Sequence, residues 1–125
     1  MTAEYTIAAD KRKATLRITM GGFFGIGDVD AFARDVAIRL ADMNTKPNEH
    51  LILCDLRQMK IQAQETVAAF GGLAGSAGLR SRHLAVVTGK PLVRTQAMRL
   101  TDRGRVSFFE SIEAAERWLF ERQSE

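Results

Sequence analysis

Short apolar runs alternate with helix-period segments along this chain, and that alternation leaves few folds open to it. The most telling run is Leu51-Ile52-Leu53-Cys54, continued through Asp55 and Leu56. It is too short for a typical helix and almost continuously apolar, which suits a central parallel strand covered on both faces. Residues 84–88 read as a second buried strand, and residues 106–109 as the last. At the start, residues 5–8 give a short strand and Asp10-Lys11-Arg12-Lys13 a polar turn. Residues 14–20 give a strand in which Leu16, Ile18 and Met20 alternate with Arg17 and Thr19, the period of a half-buried strand near a sheet edge. These first two strands are expected to pair as a hairpin.

Helical spacing fills the intervals. Asp28 is the expected cap of a helix with Val29, Phe32, Ala33, Val36 and Leu40 on its inner face, ending before residues 44–48. Residues 64–73 place Val67, Phe70 and Ala74 on one side, with Gly71, Gly72, Gly75 and Gly78 expected to weaken or end that helix. Pro91 suits the first turn of a helix with Val93, Ala97 and Leu100 inside and Arg94 and Arg99 in water. Ser111 caps a final helix whose Ile112, Ala115 and Leu119 face inward. The order is ββαβαβαβα, an α/β class chain. A mainly parallel five-stranded sheet with an antiparallel edge strand and four helices follows, as a single domain over residues 1–125.

Composition agrees. The 125 residues are 46% hydrophobic and 26% charged, the balance of a globular domain with a core of its own. Eighteen Lys and Arg against fifteen Asp and Glu leave a charge of +3 spread along the chain, so nucleic acid is not implied. Nothing at the amino terminus resembles a secretory signal, and no stretch approaches the ~18 consecutive apolar residues of a membrane span. With a lone Cys54 in an apolar run, the expected location is cytoplasmic.

Motifs of catalysis and cofactor binding are incomplete. Gly25-Ile26-Gly27 follows a strand and opens a helix, but Asp30 stands where a dinucleotide-binding turn needs its third glycine. Asp28 and Asp30 would also repel a pyrophosphate. An ordinary capped turn is the reading, with no cofactor. Cys54 is read as a buried structural thiol, even with His83 on the next strand, and Asp55 as a loop-capping carboxylate. Two histidines and one cysteine without ligand spacing give no metal site. No catalytic residue is assigned, and the chain is read as a non-enzyme.

The segment where the central strand gives way to a helix is the more informative one, because open α/β sheets bind ligands outside the carboxyl ends of their strands. Here Arg57, Lys60, Gln62, Ala63, Gln64 and Thr66 make a candidate partner-binding edge. Gly22-Phe23-Phe24 with its capped helix, Leu51-Ile52-Leu53-Cys54-Asp55, Lys60-Ile61-Gln62 and the element order together resemble the SpoIIAA-like branch of STAS domains, the anti-sigma-factor-antagonist type, over nearly the whole chain. The resemblance implies a non-enzymatic regulatory or protein-interaction module. In those antagonists a phosphorylatable serine after an aspartate starts this helix. Here Gln62 and Ala63 stand at those positions, so the phosphate switch is not expected, and Thr66 is a poor substitute.

Relatives of that branch are similar to CRAL-TRIO lipid-carrying domains, which implies a second class: an apolar ligand, or an anionic membrane surface. Phe70, Leu73, Leu79 and Leu92 are the candidate apolar contacts, with Arg80, Arg82, Arg94 and Arg99 facing headgroups. A homodimer is a further expectation, since Phe23, Phe24, Met59, Met98, Trp118 and Phe120 exceed what so small a core needs.

Overall fold

The computed structural model describes residues 2–46, 49–74, 81–99 and 105–123. Strands β1 (Glu4–Asp10), β2 (Thr15–Gly22), β3 (Leu51–Met59), β4 (His83–Val87) and β5 (Val106–Phe109) form one sheet in the order β1-β2-β3-β4-β5. β1 pairs antiparallel with β2, and every other pairing is parallel. Helices α1 (Ile26–Met43), α2 (Gln64–Ala74), α3 (Pro91–Met98) and α4 (Ile112–Gln123) complete the expected order, with β3 in the middle.

Each parallel strand is added on the same side of the last, so right-handed crossovers carry α1, α2 and α3 over one face of the sheet. The last helix has no strand to return to and covers the other face. Strand alternation sorts the core accordingly. Leu16, Ile18, Met20 and Ile52 meet Phe32, Val36 and Val93 on the three-helix face. Leu51, Leu53, Ala85 and Val87 meet Ala115 and Leu119 of α4. Each fully buried Leu, Val or Phe contributes ~1.5–3 kcal/mol relative to exposure. Arg17 points to the α4 side, where it pairs with Glu116.

β3 runs three residues past the apolar run, and the reason is a bulge. Thr19 lies opposite Asp55, but Gly21 lies opposite Gln58, so β3 carries one extra residue between them. An extra residue reverses which face the following side chains take. Met59 therefore turns into the three-helix core while Arg57 and Gln58 stay exposed.

The ends of the elements correct one expectation and extend another by a residue. Gly25, not Asp28, is the cap of α1. Asp28 sits inside the first turn and its carboxylate accepts the Gly25 N–H at 2.8 Å. α2 continues through Gly71 and Gly72 to Ala74, because a glycine weakens a helix without forbidding it. Gly75 and Gly78 lie outside the described residues. Asn44, with φ of 55°, closes α1 as expected. Gly22 has φ of +80°, and a Cβ there would stand 2.2 Å from the Thr2 carbonyl oxygen, so only glycine lets β2 end against the amino-terminal segment.

Candidate functional site

β2 and β3 end side by side, and the chain leaving them forms a rim at the carboxyl edge of the sheet. Its frame is Gln62. Only 7% exposed, this side chain accepts the Phe24 N–H through Oε1 at 2.8 Å. Its Nε2 donates to the Gly22 carbonyl at 3.0 Å and the Lys60 carbonyl at 2.5 Å. Its backbone is held in turn by Gln96 of α3, which accepts the Gln62 N–H and donates to the Gln62 carbonyl, both at 3.0 Å. Thr66, 1% exposed, donates its hydroxyl to the Phe24 carbonyl at 3.0 Å. Phe24 is thereby fixed at both backbone groups, with its ring among Tyr5, Phe32 and Phe70.

These bonds correct the expectation that Gln62 and Thr66 face a partner. Both point inward, because the extended segments after β2 and β3 leave backbone groups that need partners and no ladder supplies them. Sequence reading missed Gln96, which lies 34 residues from its partner and carries no local signal. It also missed Ile61, 50% exposed on this frame beside Phe23, which is 43% exposed and enters that reading only as a dimer contact. The available signal was Ile61 alone between Lys60 and Gln62 in a polar stretch.

The remaining expected edge residues divide. Lys60 and Gln64 are exposed, and Ala63 is half-buried. The Ala63 carbonyl accepts the Val67 N–H at 3.0 Å, so Ala63 sits at the cap of α2 with no side-chain oxygen to offer. Arg57 is exposed but tied to Asp55. Its Nε and Nη2 donate to the two carboxylate oxygens at 3.0 and 2.9 Å, and its backbone N–H joins them. That pairing holds the Asp55 carboxyl below its usual range and engages the carboxylate that a catalytic reading would need.

Cys54 and His83 do not meet. Cys54 faces the three helices, with Sγ 3.8 Å from Met20 Sδ, and burial pushes its thiol up to about 12, with the Asp55 charge adding to the effect. His83 lies opposite Leu51 on the α4 face, its ring 5.5 Å from Trp118. Among the described residues no three His, Cys, Asp or Glu side chains gather as a metal would require. At the Gly25-Ile26-Gly27 turn, the Asp28 carboxylate occupies the Gly25 N–H that a phosphate would use.

Phe70 and Leu73 stand on the wall of an apolar cavity of about 250 Å³ between the sheet and α1 to α3. Leu92, Arg94 and Arg99 are exposed on and just after α3, Arg94 over the Phe108 ring. Arg82 is exposed before β4. Leu79 and Arg80 lie outside the described residues. Of the six large side chains offered for a dimer, Phe24 and Met59 are core residues, while Trp118 and Phe120 are half-buried against His83 and Lys13. No helix among the described residues is long and apolar enough to cross a membrane.

No known family model matches the sequence, and no curated protein matches it. Solved structures do. An uncharacterised DUF3478-family protein with a SpoIIAA-like fold from Shewanella loihica superposes with a TM-score of 0.71 at 18% identity, over 94% of each chain. An anti-sigma factor antagonist from Mycobacterium paratuberculosis superposes with a TM-score of 0.61 at 12% identity, covering 94% of this chain and 95% of that one. Over nearly its full length, therefore, the chain has a SpoIIAA-like fold.

Proposed function

We propose that this chain is a non-enzymatic protein-interaction module that docks a protein partner on the rim beyond β2 and β3. The observation that carries the reading is the pair Phe23 and Ile61, exposed apolar side chains mounted on the buried Gln62 frame and bordered by Lys60 and Gln64. Rigid, exposed apolar anchors inside a polar border are the anatomy of a docking surface. The likeness to an anti-sigma factor antagonist supports a protein as the partner. Docking here works without a phosphoserine switch. Ala63 has no oxygen to modify, and the Thr66 hydroxyl is spent inside the protein. The engagement of Asp55 by Arg57 and the separation of Cys54 from His83 support a role other than catalysis.

A photocrosslinking residue placed at 23 or at 61 tests this. Both positions should capture the same protein, while position 38 on the far exposed face of α1 should not, and Ile61→Glu should abolish capture from 23. Equal capture from all three positions would end the reading.

A second reading, peripheral association with anionic membrane through α3, draws on Leu92 and Met98, 62% and 52% exposed, beside Arg94 and Arg99. Co-sedimentation with phosphatidylglycerol vesicles separates the two. Binding that falls with salt and is lost in Leu92→Asp belongs to the membrane reading.

A further inference from the structure

The apolar anchors of the rim do not stop at Phe23 and Ile61. Three neighbouring strands each lead into one exposed apolar side chain: Phe23 after β2, Ile61 after β3 and Leu92, 62% exposed, after β4. Hydrogen bonds set them in a row. The Lys60 N–H donates to the Gly22 carbonyl at 3.1 Å, which lays the segments after β2 and β3 side by side. On the β4 side, Gln96 of α3 holds the Gln62 backbone and Lys90 Nζ donates to the Met59 carbonyl at 3.5 Å. Leu92 precedes Gln96 by one helical turn and so shares its side of α3, toward the segment that carries Ile61. Ile26, 44% exposed in the first turn of α1, widens the row at its β2 end.

We infer that this row receives one face of an acidic amphipathic helix presented by the protein partner, an inference that rests on the docking reading of the rim. The length of the row selects a helix. Adjacent strands lie ~4.8 Å apart, so anchors on three successive strands span ~10 Å across the sheet. Two turns of helix, from residue i to i+7, rise by about the same ~10 Å, and apolar residues at i, i+4 and i+7 face one way. An extended partner segment would instead need the free edge of a strand, and these anchors cross the strand ends. The sign comes from the cations along the row. Lys60 directly precedes Ile61, Lys90 stands two residues before Leu92, and both are exposed. Two carboxylates of the same exits are turned onto groups of the chain itself, Asp28 onto the Gly25 N–H and Asp55 onto Arg57. Glu65 is exposed in the first turn of α2 and is the group to control for. Carboxylates flanking the apolar stripe of the partner helix therefore meet Lys60 and Lys90.

The test uses the full chain and two designed peptides of about sixteen residues, long enough to take up helix when bound. Both carry leucine at i, i+4 and i+7; one has glutamates beside the leucines, and its twin has lysines there. Followed by fluorescence anisotropy, the glutamate peptide should bind saturably at one per chain. It should bind about tenfold more tightly than the twin, the scale of two exposed charge contacts turned from attraction to repulsion. Ile61→Glu and Leu92→Asp should each weaken it about tenfold or more, as loss of a central anchor does. Ile38→Glu on the far face of α1 and Glu65→Gln should leave it unchanged. Lys60→Glu together with Lys90→Glu should invert the preference, so that the lysine twin becomes the tighter ligand. All these positions are exposed, and circular dichroism verifies that each variant is folded. Equal binding of the twins, or a preference that the double reversal leaves unchanged, would overturn the acidic partner. Indifference to Leu92→Asp would overturn the three-anchor row. Capture of one protein from positions 23 and 61 with neither peptide bound would overturn the helix and leave the docking reading standing, whereas failure of both capture and binding would end both.

Discussion

Replacing Gln62 by methionine keeps the shape of the side chain and removes its amide, and the structure says which loss matters. Three hydrogen bonds disappear, to Phe24 N–H and to the Gly22 and Lys60 carbonyls. The Gly22 carbonyl keeps the Lys60 N–H at 3.1 Å, and Lys60 is exposed, so water replaces the bond to its carbonyl. The Phe24 N–H has neither recourse, because Phe24 is fully buried. An orphaned buried donor costs ~1–3 kcal/mol, and the two weaker losses bring the total to about 2–4 kcal/mol. Urea unfolding should therefore show a lowered midpoint with an unchanged slope, and melting should fall by roughly 10 °C for a chain of this length. Hydrogen exchange at residues 23 and 61 should rise with it, because the same bonds hold the rim. A loss below about 0.5 kcal/mol would refute the claim that Gln62 frames this edge.

Ala63→Ser should raise stability by ~0.5–2 kcal/mol, since it supplies the missing cap oxygen at the start of α2; a neutral or negative change in the urea midpoint would show that the first-turn N–H groups are satisfied some other way. Cys54 should react with a small thiol reagent at pH 8 about a thousandfold more slowly in the folded chain than in denaturant, where its thiol returns to about 9. Because the folded value lies above the unfolded one, the thiol's contribution is complete below about pH 9 and is lost as pH rises from there towards 12; a Cys54→Ala variant should lack that part of the alkaline decline. Residues 91–98 should exchange amide hydrogens faster than residues 51–59, because Val93 is the buried residue of α3 and Ala97 faces the cavity; equal protection would contradict this account of α3.

The exposed anchors and the buried frame of the rim differ in how far they could be read in advance. The element order was legible because its signals are local: the period of Leu16, Ile18 and Met20, the continuous apolar run at residues 51–54, Pro91 and Ser111 at helix starts. The opening hairpin and the parallel pairing of the later strands followed from these through the βαβ crossovers, whereas the place of each strand in the sheet is given by the structure. The rim was singled out by the rule that open α/β sheets bind ligands beyond the carboxyl ends of their strands, a rule that does not say which side chains face inward. Gln62 and Thr66 look like surface residues by type, and their burial depends on Phe24 and Gln96, which lie 38 and 34 residues from Gln62 in sequence.

By itself, then, the sequence determined what each segment would become, because hydrophobic period and capping act over a few residues. Only the tertiary structure decided which side chains the rim exposes, which face His83 takes and where the cavity lies. The extra residue in β3 turns Met59 inward, and three helices packed on one face leave the space between them. Those outcomes depend on register and on contacts between distant segments, and no local pattern encodes either.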